Sequence, residues 1–152
     1  LAAGLQVEPV VAAAVKNYSN FSALRVLVAE DNPVNQMVIT GLLKKYAIEP
    51  VLTENGREAV DYCKANPQAV DLILMDGEMP EMDGWQATKQ IRQLNLRRQN
   101  GEPVTITAMT AHVLDQFADN MAQHGMDNVL SKPTKPADLE KILAECYLRG
   151  QV

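Results

Sequence analysis

The stretch Asp71–Trp85, DLILMDGEMPEMDGW, decides how the chain is interpreted, because it places three aspartates around a short apolar run. The run LILM predicts a buried strand that ends at Asp76. Asp71 precedes this strand and is predicted to be a solvated turn residue, whereas Asp83, followed by a glycine, is predicted to cap the next helix. Only Asp76 is therefore expected at the carboxyl end of a strand.

This strand and the helix after it form one of five similar units. Each unit joins a short, mostly apolar segment to an amphipathic one: LRVLVAE with PVNQMVITGLLKKY, IEPVLTE with NGREAVDYCKAN, DLILMD with DGWQATKQIRQL, PVTITAMT with HVLDQFADNMAQHG, and DNVLSKP with TKPADLEKILAECYL. Strict alternation predicts an α/β fold with a parallel sheet covered on both faces, because each crossover helix must bury its apolar side. Ligands of such folds bind beyond the carboxyl ends of the strands.

The first helix is predicted to begin at Pro33, with Asn32 as its cap, and to reach about Tyr46. Its apolar residues recur at helical spacing and predict one buried stripe: Val34, Met37, Val38, Leu42 and Tyr46. Lys44 and Lys45 are predicted to remain in solvent.

The composition is that of a water-soluble globular domain. The 152 residues are enough for one domain with a sizeable core, and 47% of them are hydrophobic and 22% charged. No apolar run approaches the roughly 18 residues that a membrane-spanning helix requires. The net charge is -5 and the basic residues are scattered, which argues against a nucleic-acid interface.

The cysteines and histidines give no sign of a metal or redox site. Cys63 and Cys146 both fit apolar helix faces, so two reduced core thiols are expected rather than a disulfide or a metal pair. His112 and His124 have no cysteine or second histidine at ligand spacing, and surface positions are expected for both.

Four of the five predicted strands end in polar residues that meet at one edge of a parallel sheet. The first ends at Glu30 and Asp31, the third at Asp76, the fourth at Thr110 and the fifth at Lys132. Carboxylates about 4 Å apart repel by about 4 kcal/mol per pair at an effective dielectric constant near 20, so such a group shifts its pKa or binds a cation. Oxygen ligands suit Mg2+, and a hydroxyl with an ammonium can hold a phosphoryl group. Asp76, between the two, is placed as a nucleophile.

Four segments carry a resemblance to a known family. VLVAEDNPVNQ, DLILMDGEMPEMDGWQAT, ITAMTAH and LSKP are similar to the signature segments of response-regulator receiver domains, and the match extends from about Leu24 to Leu148. The forms EDNPVNQ and MDGEMPEMDG especially resemble receivers attached to hybrid sensor histidine kinases. The resemblance implies a flavodoxin-like, doubly wound, five-stranded parallel sheet in the order 2-1-3-4-5 with five flanking helices.

The resemblance also implies a function in a two-component phosphorelay. Asp76 would accept a phosphoryl group from a phosphohistidine of a histidine kinase or histidine phosphotransfer domain, and the domain would catalyse its own phosphorylation and dephosphorylation. Asp31 and Asp76 would bind Mg2+ directly, together with the backbone carbonyl of Glu78, while Glu30 would act mainly through water.

The two remaining polar positions would contact the phosphoryl group. Thr110 and Lys132 would each reach one of its oxygens, and the phosphoryl group would draw Thr110 inward. A cis peptide bond between Lys132 and Pro133 is also implied. Val129 stands where the family usually has an aromatic residue that moves inward, which calls the usual aromatic readout into question. Glu78 adds an acidic side chain near the pocket, where it bears on how water reaches the phosphoaspartate.

Two other functions stay open on the sequence. A phosphorylation-independent, receiver-like docking module that regulates a histidine kinase would keep the pocket, and Val129 favours this alternative. A phosphatase with an aspartyl nucleophile usually has a second aspartate two residues after the first, where this chain has Glu78, and no substrate-binding domain is visible.

Residues 1–22 are predicted to form a partly helical linker and residues 23–152 the receiver domain. The first twenty residues carry no secretory signal, and a cytoplasmic location is expected, in the cytoplasmic portion of a membrane-anchored sensor or as a stand-alone regulator. The kinase or phosphotransfer partner is expected to dock on the pocket rim and the first helix, where Val34, Met37 and Val38 exceed what one stripe needs to bury. No contact with nucleic acid or membrane is expected, and no oligomeric state is predicted.

Overall fold

The computed structural model describes residues 21–79, 82–111 and 124–150. These ranges contain β1 (Val26–Ala29), α1 (Pro33–Lys44), β2 (Val51–Thr53), α2 (Gly56–Ala65), β3 (Leu72–Asp76), α3 (Gly84–Gln93), β4 (Thr105–Thr110), β5 (Asn128–Ser131) and α4 (Pro136–Gly150). The strands pair in parallel in the order β2-β1-β3-β4-β5, so the predicted α/β fold and strand order are confirmed. Four of the five predicted helices are seen, and the fourth, HVLDQFADNMAQHG, lies almost entirely outside the described residues, as does most of the predicted linker.

Two apolar clusters cover the two faces of the sheet. On one face α1 and α4 pack on alternate strand residues, among them Val26, Val28, Leu72, Leu74, Met109 and Leu130. On the other face α2 and α3 pack on the intervening residues, among them Leu27, Ala29, Ile73, Met75, Ile106 and Ala108. Because β1, β3 and β4 are buried along their whole length, side chains reach solvent in the loops that adjoin these strands, as Asp31 does after β1.

The start of α1 is as predicted, but its buried face is not. Asn32 caps the helix by accepting hydrogen bonds from the backbone N–H groups of Val34 and Asn35, and Pro33 occupies the first turn. Ile39 and Leu43 are the buried residues of the helix, whereas the predicted stripe is wrong because its first three members are exposed. Because α1 has apolar residues on several sides, the helical spacing of these residues does not determine which side is buried.

The prediction for Asp71 is also wrong. Its side chain is buried at the amino edge of the sheet rather than solvated, and it accepts hydrogen bonds from Arg25 and Arg98. Arg98 is itself 5% exposed and also donates to the carbonyl oxygen of Cys146 at 3.0 Å. Burial alone would raise the pKa of Asp71, but hydrogen bonds from the side chain and backbone N–H of Arg25, with the charges of Arg25 and Arg98, lower it.

The remaining predictions for single residues are mostly confirmed. Cys63 and Cys146 are buried free thiols, and burial raises the pKa of Cys63 to about 11. Lys44 and Lys45 are exposed, as is His124, while His112 lies outside the described residues. Among the helices that the structure describes, none is long and apolar enough to span a membrane.

Candidate active site

The polar strand ends meet at the carboxyl edge of the sheet. Asp76 is the last residue of β3, and Glu30 and Asp31 directly follow β1 in the neighbouring position of the sheet. Each of the three carboxylates offers an oxygen that lies within 4.8 Å of the other two. Glu30 and Asp76 are buried, whereas Asp31 is exposed. The predicted acidic cluster is therefore present, with one open side at Asp31.

Lys132, the residue directly after β5, faces this cluster. Its ammonium nitrogen Nζ lies 2.9 Å from Oδ1 of Asp76 and 3.0 Å from Oε1 of Glu30. The backbone N–H of Lys132 donates to the carbonyl oxygen of Thr110 at 2.8 Å, which joins the ends of β4 and β5. The peptide bond between Lys132 and Pro133 is cis, as predicted. Lysine and threonine thus flank Asp76 on the side opposite β1.

Backbone and amide groups hold Glu30 in place. Its N–H donates to the carbonyl oxygen of Thr53 at 3.0 Å, and its Oε2 accepts from the N–H of Asn32 at 3.1 Å. Gln36 donates from Nε2 to the carbonyl oxygen of Glu30 at 2.6 Å. Sequence reasoning missed Gln36, whose only signal is its position one helical turn after the cap of α1.

The charges of the site shift the pKa of two groups. Burial raises the pKa of Glu30 to about 7, and the neighbouring Asp76 carboxylate contributes in the same direction. Burial alone would lower the pKa of Lys132, but its contacts with Asp76 and Glu30 outweigh this and raise it. One ammonium therefore stands against three carboxylates, and the cluster keeps an excess of negative charge.

The loop after β3 closes around Asp76. Oδ1 of Asp76 accepts a hydrogen bond from the N–H of Glu78 at 3.1 Å, and the carbonyl oxygen of Gly77 accepts one from the N–H of Gly84 at 3.2 Å. Asp83 caps α3 through the N–H of Gln86, as predicted. The side chain of Glu78 is exposed and does not join the acidic cluster, so only its backbone carbonyl stays a predicted metal ligand.

Two neighbours complete the surroundings of the loop. The indole of Trp85, in the first turn of α3, contacts the imidazole of His124 with ring centroids 4.5 Å apart. A Cβ added to Gly77 would lie 3.9 Å from Nε1 of Trp85, so the indole is next to the residue that follows Asp76. Val129, the predicted departure from the family pattern, is a partly buried residue of β5 that packs on the second apolar cluster.

The donor set fits a hard divalent cation. Three carboxylates supply only oxygen atoms, two of them are buried, and the open side at Asp31 leaves room for water. Burial, with a smaller contribution from Asp76, raises the pKa of Glu30 to about 7, so a nearby cation would favour the ionised form of this carboxylate. A magnesium ion satisfies both conditions.

Residues 26–144 match the family described as "Response regulator receiver domain". The chain belongs to this family. Among curated proteins, the receiver is 37% identical over 121 residues to the sensor histidine kinase GacS of Pseudomonas protegens, a match that covers 80% of this chain and 13% of that protein. It is 36% identical over 139 residues to histidine kinase 3 of Arabidopsis thaliana, covering 81% of this chain and 13% of the relative. The chain therefore spans only a small part of the relatives that it matches.

Solved structures give the same family. The receiver domain of sensor histidine kinase PA1611 from Pseudomonas aeruginosa, whose structure has a magnesium ion coordinated in the active site cleft, is 39% identical, with a TM-score of 0.69 and coverage of 82% of this chain and 97% of that one. The co-crystal structure of the Saccharomyces cerevisiae histidine phosphotransfer signaling protein Ypd1 and the receiver domain of Ssk1 aligns with a TM-score of 0.75 and 32% identity, covering 85% of this chain and 92% of the other.

Proposed function

We propose that this receiver accepts a phosphoryl group on Asp76 as a step of a two-component phosphorelay. The observation that carries the proposal is the position of Lys132, whose ammonium lies 2.9 Å from Oδ1 of Asp76 inside a cluster of three carboxylates. A lysine paired with a buried carboxylate at the carboxyl edge of a parallel sheet can stabilise the charge of an incoming phosphoryl group.

The donor is a phosphohistidine. A carboxylate oxygen of Asp76 attacks phosphorus while the bond between phosphorus and the histidine nitrogen breaks. The imidazole nitrogen leaves with the bonding electrons, and Asp76 becomes an acyl phosphate. Lys132 contacts one phosphoryl oxygen, and Thr110, at the end of β4, contacts another. Loss of the phosphoryl group to water at the same site returns the carboxylate.

Mg2+ is the metal that the site would hold, and it would neutralise charge on the phosphoryl oxygens. Its protein ligands would be Asp31, Asp76 and the backbone carbonyl of Glu78, and Glu30 would act through water. The hydrogen bonds of Glu30 with Asn32 and Lys132 support this indirect role, because both carboxylate oxygens already have protein partners.

The phosphodonor protein docks on α1 beside the site. Val34, Met37 and Val38 are 66%, 75% and 49% exposed, although they are large apolar residues. Such a patch next to a reaction centre is characteristic of a protein interface. The occupant is a histidine kinase or a histidine phosphotransfer domain. The co-crystal structure of Ypd1 with the similar receiver domain of Ssk1 supports this class of partner.

The parent protein is a hybrid sensor histidine kinase, in which residues 23–152 form the receiver and residues 1–22 a linker. This is supported by the curated relatives, which are histidine kinases roughly eight times longer than the matched region, since that region is 13% of their length. The receiver works in the cytoplasm, where ATP-dependent kinases supply the phosphoryl group.

Intact-mass spectrometry after incubation with acetyl phosphate tests the proposal. The wild-type domain is expected to gain one phosphoryl group only when Mg2+ is present, and Asp76→Asn is expected to gain none. Asp61→Asn is the matched control, because Asp61 is an exposed residue of α2 away from the site. A wild-type domain that stays unmodified with Mg2+ would contradict the proposal and leave a receiver-shaped docking module.

A further inference from the structure

The turn between β2 and α2 forms hydrogen bonds with two loops of the active site, the one after β1 and the one after β3. At one end, the carbonyl oxygen of Thr53 accepts the N–H of Glu30 at 3.0 Å. At the other end, the N–H of Gly56 donates to the carbonyl oxygen of Met82 at 3.2 Å, in the part of the β3–α3 loop that returns to α3. One short turn without a chemical role of its own thus links the loop of Glu30 to the loop that follows Asp76.

Gly56 packs against this returning backbone more closely than any side chain allows. A Cβ at position 56 would lie 2.5 Å from the carbonyl oxygen of Met82, 2.9 Å from Cβ of Ala87 and 3.2 Å from the carbonyl oxygen of Asp83. Real Cβ atoms do not approach a backbone oxygen to 2.5 Å. Any residue larger than glycine therefore displaces the Met82–Asp83 backbone or α2.

Gly84, the residue after Asp83, would transmit such a displacement to Asp76. A Cβ at Gly84 would overlap the carbonyl oxygen of Asp76 and lie 2.9 Å from its carbonyl carbon, so the two backbones are in contact. The same glycine donates its N–H to the carbonyl oxygen of Gly77. The loop is therefore packed between Gly56 on one side and the backbone of Asp76 on the other.

Hydrogen bonds fix the start of α2, so that Gly56 provides a rigid surface against which the Met82–Asp83 backbone packs. Oδ1 of Asn55 accepts the N–H of Glu58 at 2.8 Å, and Oε1 of Glu58 accepts the N–H of Glu54 at 3.2 Å. These reciprocal bonds resemble a capping box. The hydroxyl of Thr53 adds a bond to the carbonyl oxygen of Val28 at 3.0 Å, which ties the turn to β1.

We propose that Gly56 is a positioning residue for phosphorylation, which sets the place of the Asp76 carboxylate through the Met82–Gly84 backbone. The inference rests on the proposed phosphoacceptor function. A shift of the loop moves Asp76 relative to Lys132 and Asp31, and errors of about 1 Å in such geometry can cost about a hundredfold in rate.

Gly56→Ala tests the inference, with Gly41→Ala as its matched control. Gly41 lies in the interior of α1, and a Cβ there would have no neighbour within 4 Å. Three quantities are measured: the phosphorylation rate per folded molecule with acetyl phosphate, the Mg2+ dissociation constant by calorimetry, and the urea midpoint. The amide resonance of Glu78 in metal-free protein reports the loop directly, because this N–H donates to Asp76.

For Gly56→Ala we expect a phosphorylation rate of about one tenth of the wild-type rate or lower, weaker Mg2+ binding and a shifted Glu78 resonance. Gly41→Ala should leave the phosphorylation rate, the Mg2+ affinity and the Glu78 resonance unchanged and raise the urea midpoint. A Gly56→Ala protein that only loses stability would overturn the inference, whereas a wild-type domain that is never phosphorylated would instead overturn the proposed function. If Gly56→Ala does not fold, Asn55→Ala decides. It removes the side-chain hydrogen bond that holds the start of α2 without filling the space at position 56, and an unchanged rate would overturn the inference.

Discussion

The two edges of the sheet carry opposite charge balances. At the carboxyl edge three carboxylates, Glu30, Asp31 and Asp76, stand against the single ammonium of Lys132. At the amino edge one carboxylate, Asp71, stands against two guanidinium groups. The two clusters lie at opposite ends of β3 and differ in which charges are buried. At the amino edge the buried Asp71 faces the buried Arg98, and Arg25 is 34% exposed, whereas at the carboxyl edge two buried carboxylates share one lysine.

The amino edge is satisfied by the protein alone. Oδ1 of Asp71 accepts from Arg25 at 3.0 Å and Arg98 at 3.3 Å, and Oδ2 accepts the N–H and Nε of Arg25 at 2.9 and 3.3 Å. The carboxyl edge, in contrast, needs a cation from solution. In this domain, the buried carboxylates that their neighbours leave unbalanced form the candidate reactive site, whereas the buried carboxylate that its neighbours balance has a structural role.

Removing the lysine from the unbalanced edge should have the largest effect. Lys132→Met is expected to lower the phosphorylation rate about 100- to 1,000-fold, because it deletes the positive charge that faces the phosphoryl oxygens. The domain should still fold. Mass spectrometry over time with acetyl phosphate measures the rate, and the exposed Lys44→Met is the control. A rate within about threefold of wild type would show that Lys132 only balances charge, as the arginines do at the other edge.

Removing the carboxylate from the balanced edge should act on stability instead. Asp71→Asn is expected to lower the free energy of unfolding by about 3 kcal/mol, because it leaves the buried guanidinium of Arg98 without its counter-charge. Asp127→Asn is the control, since Asp127 pairs with Arg92 at 2.8 Å but both side chains are about one third exposed. This control should cost less than about 1 kcal/mol.

The two variants are compared by urea unfolding and by phosphorylation of the folded fraction. Asp71→Asn should leave the phosphorylation rate per folded molecule unchanged. If that rate fell together with stability, the two edges would be coupled, and the distinction between a reactive and a structural cluster would have to be abandoned.

The edges should also differ in how they respond to pH. The pKa of Glu30 is raised from 4.5 to about 7, so the fold favours its protonated form, and its contribution to stability falls as the pH rises from about 4.5 to about 7. The pKa of Asp71 is lowered, so its contribution is complete above its unfolded pKa and is lost only as the pH falls below it. Of the two edges, only the carboxyl edge should therefore make the free energy of unfolding change with pH between pH 4.5 and 7.

Urea unfolding in the presence of a chelator, measured across this pH range, checks the slope. Glu30→Gln is expected to raise stability at pH 7 by about 1 to 2 kcal/mol and to flatten the dependence, while the exposed Glu49→Gln should leave it unchanged. Added Mg2+ should restore the lost stability in the wild type. A wild-type curve that rises from pH 4.5 to 7 would contradict the assignment of excess negative charge to this edge.

The sequence predicted the carboxyl edge better than the amino edge, for a physical reason. Alternating strands and helices place all strand ends on one edge, so Asp76, Glu30 and Lys132 could be brought together without knowledge of any contact. The environment of Asp71 depends instead on Arg98, 27 residues later, in a loop that the helix and strand pattern does not describe. The pattern of helices and strands predicts at which edge of the sheet a residue lies, but the packing of the folded chain determines which side chain it pairs with.

The same limit explains α1. Its cap and start follow from local hydrogen bonds and were predicted correctly, whereas its buried face depends on how the helix rests on the sheet. Ile39 and Leu43 fill that face. Of the predicted stripe, Leu42 and Tyr46 pack against the core, whereas the first three residues lie outward. The proposed positioning role of Gly56 could not be predicted from the sequence either, because it depends on a close contact with the Met82 backbone that leaves no room for a side chain.

Trp85 gives the domain a built-in optical probe. It is the single tryptophan of the chain, and its indole nitrogen is next to Gly77, directly after the proposed phosphoacceptor Asp76. Emission from this ring therefore has one source and one location. Cation binding, phosphoryl transfer and movement of the adjoining loop can be followed in real time on the unlabelled domain.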